Sequence, residues 1–286
     1  MSVGSLLLPR SGAYDGAVTS RSTRNITCTV DEGLAHVWLD RPDKLNGLTL
    51  EMLAELVATS HRLAKDRTLR AVILTGAGES FSAGLDFAAA MRNPARVARS
   101  FIPSLRRGTN VFQEAAWGWR RLPVPVIAVV RGHCYGAGLQ LALGADFRIS
   151  TPAAQWSVLE ARWGLVPDMS GIRSLAQLVG IDTAKLLTMT GETVSGQRAH
   201  ELGLVTTLST DPMGDAEQLV ERLRERSPDA VAATKRLFET TWSATPRRTF
   251  AGERAEQLAL LLSANTRAAR QAAFRREAPV FSERKR

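Results

Sequence analysis

The chain has 286 residues, 44% of them hydrophobic and 23% charged, with a formal net charge of +9. That length carries one large domain, or a domain with a smaller appendage, and that composition excludes a disordered chain. No apolar run approaches the roughly 20 residues of a membrane-spanning helix, so a soluble, cytoplasmic protein is expected.

Residues 1–24 mix Gly, Ser and Arg around a short LLL and read as a loosely ordered arm. Residues 26–30 and 34–39 are β-rich runs joined by Asp31, Glu32 and Gly33, which predicts a hairpin. A polar turn over residues 40–44 follows. Thr49, with Glu51 and Glu55 behind it, then opens an amphipathic helix running to about Lys65. Residues 71–74, AVIL, predict a buried strand. After it, Ser82, Ala83 and Gly84 are small residues that precede a second helical stretch.

Residues 93–123 read as helical and Arg-rich, with Phe101, Phe112, Trp117 and Trp119 as core or as the wall of a pocket, and they are a candidate lid. The run 125–130, PVIAVV, predicts another buried strand. Gly136, Ala137 and Gly138 come next, ahead of the apolar run 139–143. Strand, small-residue turn and helix therefore succeed each other twice. The first N–H groups of a helix lack internal acceptors and carry the positive end of its dipole, so each turn can seat negative charge. If the two strands are neighbours, two backbone N–H groups can converge on one oxygen.

Residues 146–150 read as a strand, and 155–158 as its continuation in the same sheet. Glu160 stands among the apolar residues Val158, Leu159, Trp163, Leu165 and Val166, while Asp168 and Ser170 can cap the helix that follows. Beyond residue 181 helices dominate, with a last strand at 205–208 and a boundary near 205–215. The two cysteines and four histidines lack metal-ligand spacing, so no metal site and no disulfide framework is expected. The positive charge favours an anionic partner, either a nucleic acid or a phosphorylated cofactor or thioester carrier.

Taken together, RPDKLNGLT, FSAGLD, VVRGHCYGAGLQLALGAD, LEARWGLVPDMSG and GETVSGQRAHELGLV, in that order and spacing, resemble the crotonase superfamily, the enoyl-CoA hydratases and isomerases. The resemblance covers roughly residues 25–280. It implies an α/β fold, a spiral of ββα units with a helical C-terminal oligomerisation region. The arm would then span residues 1–24, the spiral core with the acyl-CoA site 25–208, and the helical region 209–286.

By motif position, the N–H groups of Ala83 and Ala137 would hold the thioester oxygen. Asp43, Lys44, Leu45, Gly84, Leu85 and Asp86 would contact coenzyme A, and Phe274 would touch the nucleotide of a neighbouring subunit. Coenzyme A enters as part of the substrate, with no tightly bound cofactor. A homotrimer or hexamer is implied, and neither a membrane nor a nucleic acid is expected as partner.

The departures from the family pattern bear on the reaction. A typical hydratase uses two glutamates, but Gln140 occupies the first position and Glu160 the second. Glutamine orients a substrate or a water through hydrogen bonds, yet it neither takes nor gives a proton. Asp168, eight residues after Glu160, matches an aspartate of the dienoyl-CoA isomerases. Double-bond isomerisation with Glu160 as acid/base and Asp168 as partner is therefore favoured. The alternatives are an atypical hydratase, an acyl-CoA thioesterase, and a non-catalytic acyl-CoA-binding or RNA-binding protein.

Overall fold

A computed structural model describes residues 25–285. The arm expected over residues 1–24 lies outside the described residues. The expected hairpin forms from β1 (Ile26–Asp31) and β2 (Leu34–Leu39), paired antiparallel. Thr49 accepts a hydrogen bond from the Met52 N–H and so caps α1 (Leu50–Leu63). Next come β3 (Ala71–Gly76) and the short helices α2 (Phe87–Ala90) and α3 (Pro94–Ser100). Asn110 and Gln113 then form a reciprocal capping box at the start of α4 (Val111–Arg120).

The central strands are β4 (Val126–Val130) and β5 (His133–Tyr135), and α5 (Ala137–Ala142) follows. β6 (Phe147–Ser150) and β7 (Gln155–Ser157) lead to a 3-10 turn, Leu159–Trp163. Then come α6 (Gly171–Leu178), α7 (Ile181–Thr190), β8 (Thr193–Ser195), α8 (Gly196–Glu201) and β9 (Thr207–Leu208). Four helices close the chain: α9 (Pro212–Arg224), α10 (Pro228–Thr241), α11 (Pro246–Leu261) and α12 (Ala264–Arg275).

One six-stranded sheet has the order β1-β2-β3-β4-β6-β9, parallel from β2 onward. Its central strands β3 and β4 are buried on both faces, as a parallel sheet covered on both sides requires. Val37, Leu74, Ala128 and Val130 face the larger core under α1, α4 and α5. The alternating positions Ile73, Ile127, Val129 and Ile149 face Ala216 and Val220 of α9. The all-helical run thus begins with a helix that still belongs to the core.

β7 does not continue the main sheet. It pairs with β5 and β8 in a second, three-stranded sheet. The reason is Gly132, whose φ of +54° turns the chain between β4 and β5 and starts a new layer. The functional turns lie where the two sheets meet.

α10 is anchored by a buried lysine. Lys235 Nζ donates to the Trp119 carbonyl at 3.1 Å, the Val124 carbonyl at 2.9 Å and Asp146 Oδ2 at 2.6 Å. α11, by contrast, buries none of its side chains. Among the described residues no helix is long and apolar enough to cross a membrane, and no group of three or more His, Cys, Asp or Glu is placed to hold a metal ion.

Candidate active site

The two small-residue turns come together as the sequence suggests, although the donors differ. The Ser82 N–H donates to the His133 carbonyl at 2.8 Å and the Tyr135 N–H to the Ser82 carbonyl at 3.0 Å, so the two segments run side by side. Gly84 has a φ of +96°, and a Cβ there would stand 3.0 Å from Tyr135 O and 3.7 Å from Ala137 N. At Gly138 a Cβ would fall 2.6 Å from Ser82 Cβ. Both glycines are required by close approach of one turn to the other.

Ala137 is the first residue of α5, so its N–H has no partner within the helix. The Ala83 N–H is not free. It donates to the Leu45 carbonyl at 2.9 Å, which corrects its expected role as a thioester donor. Two residues on, Leu48 takes both neighbours of Leu85: the Leu48 N–H donates to Gly84 O and the Asp86 N–H to Leu48 O, each at 2.8 Å. A parallel bridge of this kind leaves the N–H of the middle residue, Leu85, without an acceptor. The unspent donors of the two turns are thus Leu85 and Ala137. Asn46, fully buried, holds the loop in place: its Nδ2 donates to Ala77 O and Ser80 O, and its carbonyl receives the Ser82 hydroxyl.

Glu160 is buried in the 3-10 turn. Its Oε1 accepts a 2.6 Å bond from Gln140 Nε2. Its Oε2 is buried and has no hydrogen-bond partner. Gly136, at φ +48°, lets the carboxylate close on the α5 turn, for a Cβ there would meet Glu160 Oε1 at 3.4 Å. Burial raises the Glu160 pKa above the ordinary carboxylate range, and the charge of Asp168 raises it further against the lowering effect of its hydrogen bonds. Burial likewise raises Asp168. The structure brings the two carboxyls into one electrostatic neighbourhood.

Gln140, only 1% exposed, makes three hydrogen bonds. While its amide donates to Glu160, its carbonyl accepts from the Met169 N–H at 2.8 Å and the Gly171 N–H at 3.0 Å. It therefore supplies the cap of α6 that Asp168 and Ser170 were expected to supply. Ser170 adopts a left-handed φ of +68° and makes no side-chain cap bond. Three of the four hydrogen-bonding positions of Gln140 are thus in use, and its side chain links Glu160 to the start of α6.

The residues implied for coenzyme A are divided. Asp43, Lys44 and Leu45 lie exposed on the turn before Asn46, and Gly84 and Leu85 belong to the first small-residue turn. Asp86 is occupied: its Oδ1 caps α2 through the Ala89 N–H, and its Oδ2 pairs with Arg41 Nη1 at 3.2 Å. Hydrogen bonding to the Ala89 N–H and to Arg41 keeps its carboxyl below the usual range. Phe274, on α12, is 85% exposed.

An aromatic pair was not foreseen. Phe87, two residues past Leu85, meets Trp163, three past Glu160, with ring centroids 5.2 Å apart. Trp163 ends the same 3-10 turn that carries Glu160, and Phe87 opens the helix that follows Leu85.

This geometry is matched by known proteins. The enoyl-CoA hydratase/isomerase family profile matches residues 29–284. The chain belongs to the enoyl-CoA hydratase/isomerase family. It is 28% identical over 236 residues to a hydroxycinnamoyl-CoA hydratase-lyase of Pseudomonas fluorescens, covering 77% of this chain and 81% of that one. It is 33% identical over 194 residues to the 1,2-epoxyphenylacetyl-CoA isomerase of Escherichia coli K12, covering 68% and 73%. The crystal structure of an enoyl-CoA hydratase from Polaromonas sp. JS666 superposes with a TM-score of 0.81 at 28% identity, over 90% of this chain and 99% of that one. The fold is thus the α/β fold expected of this family, with its helical C-terminal region. The protein is an acyl-CoA enzyme of the hydratase/isomerase family.

Proposed function

We propose that this enzyme moves the double bond of an enoyl-CoA thioester through an enolate. Glu160 Oε2 takes the proton next to the thioester, and the electron pair runs onto the carbonyl oxygen. The Leu85 and Ala137 N–H groups hold that oxygen. Donors fixed where charge develops bind the transition state better than the ground state, and one such donor is worth about 3 to 4 kcal/mol. Collapse of the enolate delivers the proton to the γ-carbon, so the substrate and product differ only in where one proton and one double bond lie. Nothing is oxidised or reduced, and coenzyme A is needed only as part of the substrate.

The observation that carries this reading is the contrast within one hydrogen bond: Gln140 is an uncharged amide bound to Glu160 and to the start of α6, while the carboxylate it holds keeps a buried, unpartnered oxygen. One free carboxylate oxygen is what proton transfer between carbons requires. Water addition with two acids needs an ionisable group at position 140. Asp168 is the partner we assign for keeping the Glu160 pKa high. The oligomer, a homotrimer or hexamer, would give the exposed Phe274 a neighbouring nucleotide to cover.

Water addition is the second reading, favoured by the name of the Pseudomonas relative. Product analysis in deuterated water separates the two. With 2-enoyl, 3-enoyl and dienoyl-CoA, isomerisation puts deuterium on the α- and γ-carbons and adds no hydroxyl. Robust hydration that survives Glu160→Gln would overturn the proposal.

A further inference from the structure

A cavity of about 650 Å³ opens at the other end of α5, between that helix, the end of α6 and the inner face of α10. Neither Glu160 nor Gln140 lines it. Its volume falls in the range of small-molecule sites, roughly 300 to 1,000 Å³. Leu143, Phe147, Leu178, Val231, Phe238 and Trp242 make its walls apolar.

The charges along this cavity do not balance. Lys235 is matched by Asp146 at 2.6 Å, and Arg120 by Glu239 through two bonds of 2.8 and 2.9 Å. Arg148, 4% exposed, feels the charge of Asp146, which Lys235 already takes, and makes no ion pair itself. Its Nε and Nη1 donate to the Leu204 and Ala145 carbonyls at 2.6 and 2.7 Å, both neutral. Its Nη2 meets no acceptor among the described residues. Burial lowers the guanidinium pKa to about 10, so it stays charged at neutral pH. Gln177, on the same lining, has a buried Oε1 with no partner. An unmatched buried cation costs several kcal/mol of desolvation, which a bound anion offsets.

We propose that this cavity binds a medium-chain alkyl carboxylate, its head on Arg148 Nη2 and the Gln177 amide and its tail along the apolar walls. A single negative charge is what one unmatched guanidinium takes; a phosphate dianion would leave a second charge buried. The site is independent of the reaction at Glu160.

Calorimetric titration of the full chain with sodium decanoate tests this. One decanoate per chain is expected, undisplaced by saturating coenzyme A. Decan-1-ol, which lacks the charge, binds at least about tenfold more weakly, as a lost charge-assisted bond implies. Arg148→Met gives a similar loss. Because Arg148 is buried, Trp242→Ala on the exposed rim supplies a second variant whose folding is not at issue, and it also weakens decanoate. The proposal fails if the unaltered protein binds no decanoate, if coenzyme A displaces it, if decan-1-ol binds equally well, or if neither variant changes the affinity.

Discussion

Glu160 and Asp146 are carboxylates at opposite ends of the same short helix, α5, and the chain treats them in opposite ways. Asp146 Oδ2 accepts from the Val126 N–H at 2.7 Å and from Lys235 Nζ at 2.6 Å, tying β4 and α10 to the core. Glu160 is held only by uncharged donors, the Gln140 amide and its own backbone N–H, and one of its oxygens is buried with no partner. A carboxylate buried without a cation has a raised pKa and a lone pair to spare. The difference in local partners is what makes Glu160, and not Asp146, the carboxylate proposed for proton transfer.

The comparison breaks most sharply at Glu160 itself. Glu160→Gln keeps an acceptor for Gln140 Nε2 but removes the proton carrier, so kcat is expected to fall by about 10² to 10⁴. Steady-state turnover of an enoyl-CoA panel measures this. The stability effect has the opposite sign. A raised carboxyl pKa means that Glu160 supports the fold while protonated and loses that support as pH rises through its folded pKa. Glu160→Gln therefore melts higher than the unaltered protein at pH 8, by about 2 to 4 °C per kcal/mol relieved, and the gap closes in acid. A variant that melts lower at pH 8 would contradict the assignment of Glu160 as a strained charge.

At the other end of α5 the sign reverses. Lys235→Met leaves Asp146 without its cation and should cost about 3 to 5 kcal/mol, read as a lower denaturant midpoint. Gln140→Leu is the next largest effect. It orphans the Met169 and Gly171 N–H groups and Glu160 Oε1, at about 1 to 3 kcal/mol for each buried group left unmade. It also removes a bond that lowers the Glu160 pKa, so the acid limb of kcat/KM moves to higher pH. Asp168→Asn, the mildest change, takes away a charge that raises Glu160 and moves the same limb to lower pH. An unmoved pH profile in Asp168→Asn would remove Asp168 from the site.

Most of the secondary structure is legible in the chain because alternation and breakers are local. The run AVIL, the hairpin turn at Gly33 and the Thr49 cap each follow from neighbours in sequence. What was not legible depends on who receives each hydrogen bond. Ala83 and Leu85 are two residues apart in one motif, and only the position of the 45–48 segment decides that the first N–H is spent and the second is not. Asp168 has the chemistry of a helix cap, but Gln140 reaches the same N–H groups from 29 and 31 residues away in sequence.

The sequence by itself determined the family, the two small-residue turns and the absence of a carboxylate at position 140, and it singled out Glu160 as the candidate acid, since these rest on residue identity and spacing. Tertiary structure alone decided that Gln140 is a bracket joining Glu160 to α6, that Leu85 holds the free donor, and that one guanidinium at the far end of α5 lacks an anion. The reason is physical: a polar group's role is set by which partners reach within about 3 Å of it, and those partners come from segments that only folding brings together.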